Sequence, residues 1–303
     1  MTAKTKASEW KLGVSTAFTG NIREETFRSY AEAGVPCMEI SLAGRESETI
    51  DWDATKRYAK EYGVEIHSLH LPFSPFPEVN IASLDRQLVA DTLERYERIL
   101  PALGDAGIPV AVVHPSGEPN RDADRPELIR IATGSLARLA ASAAKYGVTV
   151  AVEDLPRSCL GNRSDELLEL ISGDSRLKIC FDTNHLLTES AVDFLDACGD
   201  RIVNIHVSDY DFLNERHWLP GEGKLDWTSL IRGLEKVGYS GVFLYELGSA
   251  TPDTIVRGRD LVLRDVIENH AALIAGTKPP LAGTPVEDVC TKNSFFRVPQ
   301  IKG

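Results

Sequence analysis

Apolar residues run in short blocks along this chain, and between the blocks they recur at helical spacing. Blocks of strand character stand at 11–16 (KLGVST), 37–42 (CMEISL), 65–71 (EIHSLHL), 108–114 (IPVAVVH), 149–155 (TVAVEDL), 177–183 (LKICFDT), 202–208 (IVNIHVS) and 242–247 (GVFLYEL). An amphipathic segment follows each, near 21–33, 51–62, 83–103, 126–145, 164–173, 189–199, 227–238 and 253–274. Blocks of this length suit buried strands, and apolar positions three and four apart suit helices that cover them. Glycines at 34, 63, 107, 147 and 238 stop several helical segments just before the next strand. Strand and helix alternating eight times predict an α/β fold, a single (β/α)8 TIM barrel over residues 11–275 rather than an open doubly wound sheet. No glycine-rich phosphate fingerprint follows the first strand, which also speaks against a dinucleotide fold. Residues 1–10 read as a polar N-terminal tail. Residues 276–303, rich in Pro and Gly and without period, read as an irregular C-terminal extension. Phe295, Phe296 and Val298 in it are costly to leave in water, which points to the surface of the barrel, a neighbouring subunit or a partner chain.

At 303 residues the length alone allows two ordinary domains or one large barrel, so the pattern decides. The composition, 43% hydrophobic and 26% charged, is that of a soluble globular protein, and no apolar run approaches the ~20 residues of a membrane span. The first residues show no secretory signal. Five cysteines, at 37, 159, 180, 198 and 290, are odd in number and form no CxxC pair, which reads as reduced thiols in a cytoplasmic protein. A net charge of −12 repels polyanions at long range, so a small-molecule substrate is expected, with no nucleic acid and no membrane.

In such a barrel the chemistry sits at the C-terminal ends of the strands. The run 177–185, LKICFDTNH, shows the pattern: an apolar strand reaches Asp182 and then turns to present His185. Alone, an acid at a strand end is as readily a cap as a ligand. The other strands change this. The third ends with His67 and His70, the fourth with His114, the fifth with Glu153 and Asp154, the seventh with His206 and Asp209, and the eighth with Glu246. For any single histidine the plain alternative is a polar group satisfied by a carbonyl. Glu153, Asp182, His206 and Glu246, however, come from four successive strands and can surround one divalent ion. Three carboxylates and an imidazole suit Mn²⁺ first, then Co²⁺, Mg²⁺ or Zn²⁺. The competing explanation, buried salt bridges, has only Lys178 and Lys224 as nearby basic residues. His70, His114, His185, Arg216 and His217 are the candidates for holding a substrate, with Trp218, Phe73 and Phe76 as possible walls for a sugar ring. GEGKLDW at 221–227 reads as loop architecture with Asp226 as a helix N-cap and Lys224 as a secondary phosphate candidate.

Several segments carry a resemblance: HSLHLPF at 67–73, VVHPSGEP at 112–119, VAVEDLPRSCLGN at 150–162, CFDTNHLL at 180–187, NIHVSDY at 204–210, RHWLPGEGKLDW at 216–227 and LYE at 244–246. Together they resemble the xylose isomerase-like TIM-barrel superfamily, in particular its sugar phosphate isomerase/epimerase branch. The resemblance implies that Glu153, Asp182, His206 and Glu246 hold a divalent metal and that His185 contacts a substrate oxygen. It also implies that Glu153 and Glu246 exchange protons with opposite faces of a ketose carbon. One position departs. Ketose 3-epimerases of the family carry a second glutamate six residues after the fifth-strand ligand, where this chain has Cys159, and this form is more similar to branch members whose relatives are dehydratases or act on oxidised glycosides. A rival within the superfamily is the endonuclease IV-like group, which holds three zinc ions. His70, His114, Glu153, Asp182, His185, His206, His217 and Glu246 match that layout, with Glu215 where the group has aspartate. The charge of −12 argues against a DNA substrate. A non-catalytic partner subunit is the alternative outside enzymes.

Overall fold

Eight parallel strands close on themselves in the order of the chain: β1 (Lys11–Ser15), β2 (Cys37–Ile40), β3 (Glu65–His70), β4 (Val110–Val113), β5 (Thr149–Glu153), β6 (Lys178–Asp182), β7 (Ile202–Val207) and β8 (Val242–Tyr245). β8 pairs back onto β1, so no edge remains unpaired. The computed structural model describes residues 6–42 and 46–286. Each strand ends one or two residues before its apolar block does, because the last residues leave the ladder to start the loops that carry the polar groups. Around the barrel lie α1 (Glu24–Ala33), α2 (Trp52–Tyr62), α3 (Arg86–Ala106), α4 (Arg125–Ala143), α5 (Ser164–Ile171), α6 (Ala191–Cys198), α7 (Trp227–Val237) and α8 (Leu263–Ile274). The expected glycine stops are real: Gly34, Gly63, Gly107, Gly147 and Gly238 all adopt positive φ, between 67° and 86°.

The main core lies between strands and helices. Phe181 of β6 is fully buried and stacks on Phe194 of α6 at 4.8 Å; burying side chains of this kind contributes about 1.5–3 kcal/mol each. Alternate strand residues face inward. They form separate small apolar clusters, Val110, Val112, Ala151 and Cys180 in one and Cys37, Val242 and Leu244 in another. Residues 7–10, within the expected N-terminal tail, dock on the barrel: Trp10 stacks on Phe243 at 5.8 Å and donates its indole N–H to the Tyr239 carbonyl at 2.7 Å.

Two expectations near the C-terminus are corrected. The last helix begins at Leu263, not near 253, because residues 255–257 form a short strand, β9 (Ile255–Arg257). Its partner is β10 (Gly283–Pro285), antiparallel, supplied by the segment read as irregular. This two-stranded sheet is fixed by a buried ion pair, Arg257 Nη2 to Glu222 Oε2 at 2.6 Å, while Glu222 Oε1 accepts the Ala282 backbone N–H at 3.1 Å. Phe295, Phe296 and Val298 lie outside the described residues. Among the described residues no helix is long and apolar enough to cross a membrane.

Candidate active site

The C-terminal ends of β5 to β8 bring one set of polar side chains together. β5 ends on Glu153, β6 ends on Asp182, β7 carries His206 one residue before its end, and Glu246 follows β8 directly. Parallel pairing sets Asp182 level with His206. One ligand atom from each of Glu153, Asp182, His206 and Glu246 lies within 4.8 Å of the others. His206 Nδ1 is 2.8 Å from Glu153 Oε1, 3.2 Å from Glu246 Oε2 and 3.9 Å from Asp182 Oδ2. The ion-pair partners of these carboxylates are histidines, His70, His114, His185 and His206, rather than Lys178 or Lys224.

The group fits a divalent cation. Asp182 Oδ1 accepts the Asn184 backbone N–H at 2.7 Å, but Asp182 Oδ2 is buried and has no hydrogen-bond partner among the described residues. An unsatisfied buried carboxylate oxygen costs several kcal/mol. Three carboxylate oxygens and one imidazole nitrogen are the donor set of an oxygen-rich, borderline metal site, and a cation among them supplies what Oδ2 lacks.

Without a cation, protons carry the positive charge. Burial opposes a charge on His206, but Glu246, Glu39 and Glu153 around it hold its basicity well above the usual imidazole range. Burial, with Glu246 and Glu153 nearby, raises the Asp182 carboxyl to about 6 despite the opposing pull of His185. Burial also works to raise Glu153, yet the charge of His206 and the hydrogen bonds of His114, His206 and His70 hold it well below the carboxylate range. Its Oε2 lies 3.0 Å from both His70 Nε2 and His114 Nε2. His70 donates Nδ1–H to the Leu71 carbonyl at 2.8 Å, and Glu153 overcomes burial to raise it to about 9. His114 goes the other way, lowered chiefly by burial.

A second set of groups borders the first. His185 donates Nδ1–H to the Asp154 carbonyl at 2.7 Å, which aims Nε2 between Glu215 Oε2 at 3.3 Å and Asp182 Oδ2 at 3.6 Å. Glu215 is also held by Arg157, 3.3 Å from its Oε1, and although burial resists, His185 and Arg157 lower it to about 2. His217 Nδ1 donates to the Glu246 carbonyl at 3.1 Å. Arg157 and His217 both sit in the left-handed backbone region, at φ 56° and 50°, a conformation that costs non-glycine residues free energy and collects at functional sites. Arg216 Nε donates to Asp211 Oδ2 at 2.9 Å. A cavity of about 780 Å³ opens beside this set, with Glu215, Arg216, His217 and Glu246 on one side and Phe73, Leu247, Ala250 and Pro252 among its apolar lining.

Other expectations meet different outcomes. Trp218 is buried and donates its indole N–H to Thr254 Oγ1 at 3.0 Å, so it braces the loop behind the cavity and forms no wall for a sugar. Phe73 lines the cavity, whereas Phe76 lies against Gly117. Asp154 accepts the Asp182 backbone N–H at 2.7 Å and holds β6 in place. Asp209 organises the loop after β7, accepting from the backbone of Tyr210, Gly221 and Leu225 and from the Trp227 indole. Asp226 caps α7 as expected.

Glu39 escaped the sequence reading. It is fully buried on β2, and its carboxylate lies 3.0 Å from His206 Nε2. The signal was present, an acid within the apolar run CMEI, but the residues that give it meaning are Asn204 and His206, more than 160 positions away.

Comparison with known proteins agrees with the barrel. The sequence profile of the xylose isomerase-like TIM barrel matches residues 27–266. An uncharacterised protein of Methanocaldococcus jannaschii is 26% identical over 258 residues, covering 80% of this chain and 86% of that one. The crystal structure of a D-tagatose 3-epimerase-like protein superposes with a TM-score of 0.73 at 21% identity, covering 88% of this chain and 98% of the other. The 3-keto-D-glucoside 4-epimerase of E. coli superposes with a TM-score of 0.66 at 24% identity, covering 80% and 94%. These two structural likenesses establish the fold.

Proposed function

The chain belongs to the xylose isomerase-like TIM-barrel family, and from that premise we propose that it is a divalent-metal-dependent isomerase or epimerase acting on a sugar or keto-sugar. The observation that carries this reading is the convergence of Glu153, Asp182, His206 and Glu246, with the orphaned Asp182 Oδ2 among them, beside a cavity that Glu246 itself lines. A divalent cation held there supplies Lewis-acid polarisation of a substrate carbonyl and its neighbouring hydroxyl. Glu246, which meets His206 through Oε2, takes the proton from the carbon beside that carbonyl. Glu153 serves the opposite face. His185 donates from Nε2 to a substrate oxygen, and His70, His114, Arg216 and His217 position the remaining hydroxyls. Mn²⁺ is the favoured ion. Its preference for oxygen ligands suits a donor set of three carboxylates and one imidazole.

The apolar lining favours a substituted sugar over a free ketose. Phe73, Leu247, Ala250 and Pro252 offer no partners for hydroxyls, and Thr251 Oγ1 is already turned to the Arg259 carbonyl. Cys159, standing where the 3-epimerases carry glutamate, agrees with this. The relative that acts on a 3-keto-D-glucoside supplies a fitting substrate class. Dehydration or cleavage of an oxidised glycoside begins with the same proton abstraction and is distinguished by its products.

Two groups beside the main cluster favour the multi-zinc phosphodiesterase alternative: His70, His114 and Glu153 in one and His185, Glu215 and His217 in the other each place ligand atoms within 4.8 Å of one another. Against it, both Glu215 oxygens are engaged, by Arg157 and by His185, and the chain carries a net charge of −12. Metal analysis separates the two, one exchangeable ion per chain for the epimerase and three zinc ions for the nuclease. The direct test of the favoured reading is solvent deuterium exchange into 3-keto-glucosides and ketoses with Mn²⁺. Glu246→Gln is expected to keep the fold and the cavity but lose exchange by at least about 100-fold, the scale of a missing general base. Unchanged exchange refutes the assignment.

A further inference from the structure

Against the cluster, fully buried, lies a carboxylate that the mechanism has not used. Glu39 of β2 is fully buried, and its Oε2 accepts Ser68 Oγ–H at 2.6 Å and Asn204 Nδ2–H at 3.3 Å. Its oxygens lie 3.0 and 3.1 Å from His206 Nε2. The register between β2 and β3 shifts between Met38 and Glu39, which sets Glu39 opposite Ser68 rather than opposite His67. Irregularities of this kind re-aim a side chain. Here the result is a carboxylate beneath the imidazole, on the side away from the other three acids.

Two physical constraints follow. A carboxylate acceptor at Nε2 requires a hydrogen on Nε2, so the lone pair of the neutral ring is at Nδ1. Nδ1 faces Glu153 Oε1, Glu246 Oε2 and Asp182 Oδ2, three acceptors that cannot share space with a lone pair unless something positive lies between. The second constraint is charge. A fully buried carboxylate is expensive unless balanced, and the partners of Glu39 are a hydroxyl, an amide and this imidazole. Its balance therefore passes through the ring to whatever sits at Nδ1.

We propose, resting on the metal-dependent reading above, that Glu39 is the positioning residue of the cation site: it fixes His206 as the Nε2–H tautomer, presents Nδ1 as the ligand atom and strengthens its hold on the ion. Ser68 and Asn204 hold the carboxylate in line. Partners of this kind typically change metal affinity by about 10–100-fold.

The experiment is Mn²⁺ binding to metal-stripped protein, by isothermal titration, for the wild type, Glu39→Gln and Ser68→Ala, with melting temperatures measured in EDTA. Glu39→Gln is expected to weaken Mn²⁺ by about 10–100-fold while its metal-free melting temperature stays at or above that of the wild type. Saturating Mn²⁺ is expected to restore activity. Ser68→Ala, which leaves the carboxylate, is expected to stay within about 3-fold of the wild type, as loss of one neutral hydrogen bond implies. A Glu39→Gln variant that binds Mn²⁺ as the wild type does overturns the proposal. So does one whose weaker binding is matched by a lowered metal-free melting temperature, since that is a structural role. The wild type gives a check independent of any variant. With ¹¹³Cd²⁺ and ¹⁵N-labelled histidine, cadmium–nitrogen coupling is expected at His206 Nδ1, and coupling at Nε2 refutes the assignment. A wild type that binds no divalent cation defeats the functional reading itself, whereas normal wild-type binding with an indifferent Glu39→Gln defeats only this inference.

Discussion

Asp182→Asn should make the metal-free protein more stable while destroying the proposed cation site. Asp182 is fully buried, one of its oxygens has no donor, and burial with Glu246 and Glu153 nearby raises its carboxyl from an ordinary 3.8 to about 6. The unfolded chain releases this proton near 3.8 and the native protein near 6, so between those values the native state binds more protons and stability rises as the pH falls. The penalty is complete above pH 6 and absent below about 4. At about 1.4 kcal/mol per pKa unit it amounts to about 3 kcal/mol. Asparagine keeps the acceptor for the Asn184 backbone N–H and replaces the orphaned oxygen with an amide that can donate to the neighbouring carboxylates. In EDTA at pH 8 the variant should therefore melt about 6 °C above the wild type, taking about 2 °C per kcal/mol for a chain of this size, and the difference should shrink to about 2 °C near pH 4.5. Because the comparison is between two chains at the same pH, groups that titrate alike in both cancel. Mn²⁺ should reverse the order, since about 1,000-fold excess over its dissociation constant adds about 4.1 kcal/mol only to the chain that binds it. A variant less stable than the wild type at pH 8, or a difference that does not change with pH, refutes the reasoning.

Two further substitutions separate the scaffold from the chemistry. Arg257→Met leaves Glu222 buried without its cation and should cost about 3–5 kcal/mol in thermal unfolding, most of it recovered in the Glu222→Gln/Arg257→Met pair, because removing both charges removes the imbalance. Trp10→Ala removes the ring stacked on Phe243 and should cost about 3–5 kcal/mol in chemical denaturation. It should leave the Mn²⁺ dissociation constant unchanged, because Trp10 lies at the opposite end of the barrel from the cluster; a matched loss of affinity would tie the two ends together.

The barrel was readable because its strands are buried on both faces. Such strands leave continuous apolar blocks such as VAVV and ICF, and the helix stops fall on glycines that adopt the left-handed conformation. The four cluster residues were readable for a related reason: an acid at the end of an apolar strand is costly, and three of them with a histidine on four successive strands have a common explanation. What escaped depends on contacts between distant segments. β9 and β10 are three residues each, too short to show a period, and each is a strand only because the other is present. Trp218 looked like a sugar-stacking ring because aromatic residues beside a site often are, but its indole N–H found Thr254 and turned it inward. Glu39 had no signal beyond its acidity, since its role is defined by a histidine on the far side of the barrel.

The same geometry explains why so much scaffold surrounds so small a site. Glu39, Glu153, Asp182 and Glu246 place four carboxylates around one imidazole, and the first three are almost wholly removed from water. That arrangement opposes folding whenever no cation is bound, as the raised carboxyl of Asp182 indicates. The opposition has to be offset elsewhere, by the apolar belt between strands and helices and by Trp10 at the other end of the barrel. A chain with a weaker belt would depend on the cation to fold. The proposed role of Glu39 follows the same logic: an acid that strengthens the site when the cation is present is a liability when it is absent, so a variant that relieves the liability should also loosen the ion. Stability without metal and affinity for metal should therefore move in opposite directions at Glu39 and Asp182, whereas at Trp10 stability should fall with affinity unchanged.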